Sequence, residues 1–261
     1  MPVNWLDVSP LSFNSLLLLE RCQLSWFPGW VPEKELATAL GGNPAVAWYI
    51  RHKCPEIADW LDKVESLAGI ATTTSEEIRS GELAVLNEIN DLLVYVVDPA
   101  VYDRQAFLGW DSRELTNVAD FAGKTVIDVG SGTGRLALTV APEAGTVFAV
   151  EPVANLHHYL RRRARRAGVD NLFAVDGLIT DIPFPDAFAD IVMGGHVFGN
   201  DPEGECQELH RVVRPGGMII LCPGNSDKDN SAHDLLVSQA FEWSRFEEPE
   251  DGTKRKYWKT V

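Results

Sequence analysis

The sequence predicts an α/β fold, a mostly parallel sheet flanked by helices and preceded by a helical N-terminal region. Three observations carry that expectation. From about residue 121 onward, short apolar runs alternate with helical stretches, the pattern of successive strand–helix–strand units. The apolar run Val126-Ile127-Asp128-Val129 is followed by glycines at alternate positions, Gly130, Gly132 and Gly134. That reads as a buried strand turning tightly into a helix, with backbone bare enough for a ligand to approach. Before residue 120 helical signals dominate, so residues 1–120 are expected to form a helical region and residues 121–261 the sheet domain.

In the first region, Val31-Pro32-Glu33 starts a helix, with proline early and acids in the first turn, and Gly41-Gly42 stops it. Pro55 opens another, carrying Ile57, Leu61, Val64 and Ala68 at helical spacing. Thr74 with Glu77 forms a capping box. The helix beyond it carries Ile78, Leu86, Ile89, Leu93 and Val96 before Asp98-Pro99 ends it. Asp111 with Glu114 caps one more short helix, running to about Asp120. Five of the eight tryptophans, Trp5, Trp26, Trp30, Trp48 and Trp60, lie in the first sixty residues and are expected mostly to fill a small helical core.

The second region supplies strands at 126–129, Thr146 to Val150 and Asn171 to Asp176. Between the second and third lies Leu160-Arg161-Arg162-Arg163-Ala164-Arg165-Arg166, which has the look of a nucleic-acid patch. Val153, Leu156, Leu160, Ala164 and Ala167 recur at three- and four-residue steps, so the run reads as an amphipathic helix whose arginines face solvent and whose end is Gly168. Ser231 to Trp243 reads as a helix. Arg245 to Glu247 and Lys254 to Thr260 read as strands joined by Pro249-Glu250-Asp251-Gly252.

Composition narrows the function classes. With 261 residues and 45% hydrophobic content the chain can bury a sizeable core. Its net charge is −15, from 23 basic and 38 acidic residues. Such a field repels phosphate backbones, which excludes DNA and disfavours RNA as a general partner. The first 120 residues alone carry 8 basic and 18 acidic groups, a balance of −10, so they are no RNA-binding appendage. Cys22, Cys54, Cys206 and Cys222 lie far apart without paired spacing and read as thiols of a reducing compartment, not a zinc site. His52 near Cys54 lacks a second pair, so no metal is expected. The longest greasy stretch, Leu16 to Leu19, is far short of the roughly 20 residues a membrane span needs. No basic n-region precedes it, so neither a signal peptide nor membrane attachment is expected, and the location reads as cytoplasmic.

The glycine turn then has to be matched to a ligand. A dinucleotide fingerprint needs G-x-G-x-x-G, and Arg135 stands where the third glycine should be. A phosphate loop of the Walker kind fails too, since no Gly-Lys-Ser/Thr follows. What remains is D-x-G-x-G-x-G from Asp128 to Gly134. The second strand ends in Glu151-Pro152, roughly twenty residues on, where an acid is placed to accept from both hydroxyls of a ribose. The third ends in Asp176-Gly177. Ile182-Pro183-Phe184-Pro185 runs through Phe188-Ala189-Asp190-Ile191-Val192-Met193, and Glu208 to Leu221 contains Arg214-Pro215-Gly216-Gly217.

Taken in this order, these segments resemble the motifs of class I S-adenosylmethionine-dependent methyltransferases, over about Gly123 to Val261. Within them the chain is similar to the broad group that includes quinone-biosynthesis and other small-molecule methyltransferases. The resemblance implies a Rossmann-like seven-stranded sheet in the order 3-2-1-4-5-7-6, with the last hairpin strand antiparallel. It implies S-adenosyl-L-methionine as cofactor and S-adenosyl-L-homocysteine as product. Gly130, Ser131, Gly132 and Gly134 would line the methionine end, with Asp128 supporting the loop. Glu151, followed by Pro152, would hold the ribose, Asp176 and Gly177 the adenine, and Met193, in the segment resembling the family's fourth strand, would also bind the cofactor. Helices before the core often form a lid in this family, and Tyr102 and Trp110 are the residues best placed to reach the ligand.

The chemistry follows from that cofactor. An activated methyl on a sulfonium needs a nucleophile held in line and water excluded, an orientation effect worth up to roughly 7–11 kcal/mol. A base is required only for a hydroxyl, a protonated amine or a carbon acid. His196, just after the fourth strand in Gly194-Gly195-His196-Val197-Phe198-Gly199, is the candidate, alongside a purely structural role for the same histidine. The Asn/Asp-Pro-Pro-Tyr signature of amino-directed nucleic-acid methylases is absent there. The expected function is methyl transfer to a small molecule on O, N or C. Two alternatives stay open: a methyltransferase of protein or RNA, and an inactive cofactor-binding subunit. The sequence leaves the acceptor and the oligomeric state undetermined.

Overall fold

The computed structural model describes residues 4–67 and 74–261. Two compact units divide at Tyr102/Asp103, eighteen residues before the boundary the sequence suggests. The reason lies in residues 103–120. Trp110 and Leu115 are buried in the hydrophobic cluster of the sheet unit together with Phe121, so this stretch belongs to the sheet although it is helical in pattern.

The first unit is helical. Its main helices are Glu33–Gly42, Pro44–Lys53, Ala58–Ser66, Ser75–Glu88 and Asn90–Val97. Glu33–Gly42 begins at Pro32 as the proline and acids require. Pro44–Lys53 escapes the sequence reading, although Asn43-Pro44 is a helix start in plain view. Pro55 opens a single tight turn before Ala58–Ser66, and Ala68 of the proposed apolar stripe lies outside the described residues. The Thr74/Glu77 capping box forms as expected. The helix after it breaks at Ile89 instead of running to Val96. There the buried Asn90 side chain accepts from the Trp5 and Leu6 N–H groups at 3.0 and 2.9 Å and donates to the Leu6 carbonyl at 2.9 Å, fixing the N-terminal segment. The core of this unit is aliphatic, with Leu16, Leu36, Ile50, Leu61, Leu86 and Ile89 fully buried beside Phe13 and Phe27. The five early tryptophans do not fill it: none is buried, and Trp26 and Trp48 are exposed. Indole is large, and its N–H wants a partner, which Trp60 finds on Glu33 at 2.7 Å.

The second unit is a seven-stranded sheet in the order β3-β2-β1-β4-β5-β7-β6, as the resemblance implies. The strands are β1 Thr125–Val129, β2 Thr146–Val150, β3 Leu172–Val175, β4 Ala189–Gly194, β5 Val213–Ser226, β6 Glu242–Glu248 and β7 Gly252–Thr260. The first five pair in parallel and β7 runs antiparallel to both β5 and β6. Alternating residues feed two apolar layers. Val126, Val147, Ile191 and Ile220 face one, and Ile127, Val150, Val192 and Ile219 the other. The helix Ser231–Ser238 is shorter than expected, because Ala240 turns left-handed (φ 62°) and the Phe241 N–H closes on the Leu236 carbonyl at 3.0 Å. Trp243 therefore lies in β6, not in the helix.

The chain order reverses at β1, which has β2 on one side and β4 on the other. In register, Val129 stands beside Val150 and Gly194, so the residues that follow all three strands emerge at one edge. Open α/β sheets present their binding crevice at such a point.

Candidate functional site

Gly130, Gly132 and Gly134 all have left-handed backbone, with φ of 65°, 53° and 87°. They differ in what surrounds them. A Cβ on Gly130 would lie 2.4 Å from Val197 Cγ2, and one on Gly134 would lie 2.0 Å from Leu160 Cδ1. At Gly132 the nearest atom is the Gly130 carbonyl oxygen, 4.0 Å away. The outer two glycines therefore admit packing from the β4 loop and from the helix Ala154–Arg166. The middle one presents bare backbone to open space, which is what the close approach of a ligand requires. Ser131 between them is buried, its N–H donating to the Val150 carbonyl at 3.1 Å, while its Oγ has no hydrogen-bond partner. A buried hydroxyl without a partner at the mouth of a crevice is a polar atom held ready for a ligand.

Two carboxylates lie under this turn. Asp128 Oδ2 accepts from the Ala137 N–H at 2.9 Å, so the acid braces the first turn of the helix Arg135–Val140, and the glycine amides do not contact it. Burial pushes Asp128 up to about 8. Glu151 Oε2 accepts from the Gly132 N–H at 2.9 Å and Oε1 from the Val153 N–H at 3.0 Å. Burial pushes it up to about 7, with nearby Asp176 acting the same way and the two amides acting against it. Each oxygen of Glu151 keeps a second lone pair for a hydroxyl donor. Pro152 follows, half-buried, and the His157 Nε2–H donates to the Glu151 carbonyl at 2.5 Å. Asp176 stands exposed just beyond β3, and a Cβ at Gly177 would press on Pro183 and Val150 at 2.7 and 2.8 Å.

Four arginines of the arginine-rich helix, Arg161, Arg162, Arg165 and Arg166, are exposed as expected, and Arg163 is the exception. Arg163 Nη1 donates to Asp103 Oδ1 at 2.6 Å and to the Thr133 carbonyl at 2.8 Å. Asp103 also accepts from Thr133 Oγ1 at 3.0 Å and from the Tyr159 hydroxyl at 3.3 Å. The glycine turn is thus clamped from outside by the first residue of the sheet unit. No local pattern marks Asp103, whose partners lie 30, 56 and 60 positions away.

Other candidates separate. Met193 is fully buried in the apolar layer that also holds Val126 and Ile191. Trp110 is buried too, between Phe246, 5.4 Å away, and the Arg135 guanidinium, 4.4 Å over its ring. Its indole N–H has no hydrogen-bond partner. Tyr102 belongs to the helical unit, edge-on to Trp5 and Tyr95 at 5.3 and 5.0 Å. His196 sits in the loop after β4 with left-handed backbone (φ 56°), its N–H donating to the Pro223 carbonyl at 2.9 Å. Its Nε2 lies 2.8 Å from Glu248 Oε1 at the end of β6, and Phe107 packs edge-on to the ring at 5.6 Å. The sequence gives no hint of Glu248, 52 positions away in the last hairpin. Among the described residues no group of three or more His, Cys, Asp or Glu could hold a metal ion. No helix of the described residues is long and apolar enough to cross a membrane.

Residues 127–221 match a family model described as a methyltransferase domain. An uncharacterized methyltransferase of Geobacillus thermodenitrificans is 27% identical over 162 residues, covering 60% of this chain and 72% of the relative. A demethylmenaquinone methyltransferase of Clavibacter sepedonicus is 32% identical over 115 residues, covering 43% of this chain and 46% of the relative. The chain thus spans about half the length of that relative. Among solved structures, a SAM-dependent methyltransferase from Aquifex aeolicus superposes with a TM-score of 0.48 at 21% identity, covering 63% of this chain and 99% of that one.

Proposed function

We propose that this chain is a class I, S-adenosylmethionine-dependent methyltransferase whose acceptor is a small molecule with an O, N or C nucleophile, a reading supported by the methyltransferase-domain match and the methyltransferase relatives. The observation that carries the reading is the grouping at one sheet edge of Glu151, the open face of Gly132 and the exposed Asp176. When bound, the cofactor supplies a methyl group on a positive sulfonium, whose departure leaves a neutral thioether.

The chain's own residues do the rest. Glu151 accepts the two ribose hydroxyls on its free lone pairs, in a setting where the carboxylate is already oriented by two backbone amides. Asp176 would accept from the adenine amino group, and Gly177 lets Pro183 and Val150 pack close beside it. Gly132 and the Ser131 hydroxyl meet the methionine end, where the N-terminus of the following helix favours the cofactor's carboxylate. Orienting the acceptor against the methyl carbon and excluding water supply most of the rate. His196 takes the proton when the acceptor carries one. The relative named a demethylmenaquinone methyltransferase acts, by its name, on demethylmenaquinone, which supports a non-macromolecular acceptor here. The overall charge of −15 supports the same choice over nucleic acid. All four cysteines are free thiols, in keeping with a cytoplasmic location.

Calorimetric titration with S-adenosylmethionine and S-adenosylhomocysteine tests the site. Saturable binding of both is expected in the wild type, with severe weakening and an unchanged far-ultraviolet spectrum in Glu151→Ala. Wild-type affinity in that variant would refute the assignment. Labelled methyl transfer into a cell extract fractionated by size then separates small acceptors from protein or RNA.

A further inference from the structure

We infer that Glu248 is the positioning residue of His196, holding its Nε2–H so that Nδ1 is the free lone pair offered to the acceptor's proton. The inference rests on the methyl-transfer reading above and adds to it a residue and a tautomer.

The geometry is asymmetric in a way that suits a base. The His196 side chain is 34% exposed, while that of Glu248 is wholly buried. A carboxylate can only accept, so the 2.8 Å contact to Oε1 assigns the ring proton to Nε2 and leaves Nδ1 unprotonated in the neutral imidazole. Three further contacts limit the ring. Its backbone is pinned to the Pro223 carbonyl, Phe107 closes one edge, and Pro249, next to Glu248, lies against the 106–109 turn that carries Phe107, 3.6 Å from where a Gly109 Cβ would be. When an acceptor X–H is methylated, the X–H bond breaks, its proton passes to Nδ1, and the resulting imidazolium remains paired with the Glu248 carboxylate. The proton leaves to solvent from the exposed side of the ring.

Two features of the pair cost stability. His196 is a β-carbon-bearing residue in left-handed backbone, immediately after two glycines that could have taken that conformation. Glu248 is buried with Oε2 lacking any hydrogen-bond partner, its nearest cation being Lys254 Nζ at 3.6 Å, which is itself engaged by Asp251 at 2.6 Å. A buried carboxylate with one oxygen lacking a hydrogen bond is a poor way to hold two strands together. It is a good way to stabilise a charge that appears on its neighbour during turnover.

The test has two parts, both on the full chain. In 15N-labelled protein saturated with S-adenosylhomocysteine, nitrogen shifts of His196 should report a protonated Nε2 and an unprotonated Nδ1 in the neutral ring. In Glu248→Gln the single tautomer should give way to a mixture. A proton on Nδ1 in the wild type would overturn the inference outright. Separately, label is transferred from S-adenosylmethionine to the low-mass fraction of a cell extract. Glu248→Gln should slow transfer roughly ten- to a hundred-fold, short of the full effect of losing a general base, with S-adenosylhomocysteine affinity unchanged. The double variant with His196→Ala should be no slower than His196→Ala alone. Wild-type turnover in Glu248→Gln would also overturn it. Should the wild type move no label into low-mass compounds, the small-molecule reading fails, while the nitrogen shifts still decide the pair.

Discussion

Three glycines of one turn illustrate how little residue type says about role. Gly134 yields to Leu160 and Gly132 to nothing in the protein, yet both carry left-handed backbone. Gly134→Ala should therefore cost roughly 1–3 kcal/mol in overpacking, with backbone strain added, and lower the melting temperature markedly. Gly132→Ala adds strain without a clash; its larger effect should be on S-adenosylhomocysteine affinity, read by titration. The acids beneath the turn make a second prediction. Asp128 and Glu151 are pushed up to about 8 and about 7 by burial. The folded chain holds these protons more tightly than the unfolded one, so this contribution is full below the ordinary carboxylate range and is lost as pH rises through those values. Asp128→Asn, which keeps an acceptor for the Ala137 N–H, removes its share. In melting scans from about pH 6 to pH 9 the variant should gain on the wild type as pH rises. A constant difference would show that Asp128 does not titrate there. Cofactor binding reverses the sense at Glu151: hydroxyl donors favour the ionised form, so affinity should strengthen from about pH 6 to pH 8 with release of a proton.

At the scale of elements, the glycine turn is positioned from both ends of the strand–helix unit. Asp128 fixes the helix that leaves it, and Asp103 with Arg163 fixes its outer side. Asp103→Ala unpairs Arg163 and Thr133 Oγ1 together. We expect weaker cofactor binding, by roughly three- to ten-fold, with a modest loss of stability, since partly buried charge-assisted hydrogen bonds are worth about 1.5–3 kcal/mol. Titration and melting of the same variant separate the two effects, and unchanged affinity would mean that the clamp does not shape the turn. The last hairpin works the same way across the sheet. By adding β6 and β7 beyond β5, it brings Glu248 to the edge where the β4 loop presents His196.

Over the whole molecule, charge is the dominant feature. With a net charge of −15 and a sequence pI near 4.8, like charges repel across the folded surface at neutral pH. Salt at about 0.15 M shortens the screening length to about 8 Å, so the melting temperature at pH 8 should rise with added sodium chloride and solubility should fall as pH nears the pI. A melting temperature that is flat or falls with salt would show that attractive pairs such as Arg51 with Asp62 and Glu65 outweigh the repulsion.

The sequence by itself determined the strands and the motifs, because each is written in contiguous residues; the strand order came only through the resemblance that those motifs carry. Strand periodicity, the alternate glycines, an acid closing a strand and the Thr74 capping box all act over ten residues or fewer. Features that join distant segments were decided only by the tertiary structure. Residues 103–120 have a helical pattern but pack on the sheet through Trp110 and Leu115. The early tryptophans look like core and lie outside it. Asp103 with Arg163, and Glu248 with His196, are brought together from elements far apart in the chain. A side chain's neighbours across a sheet depend on strand order and register, and no local pattern of residues records those.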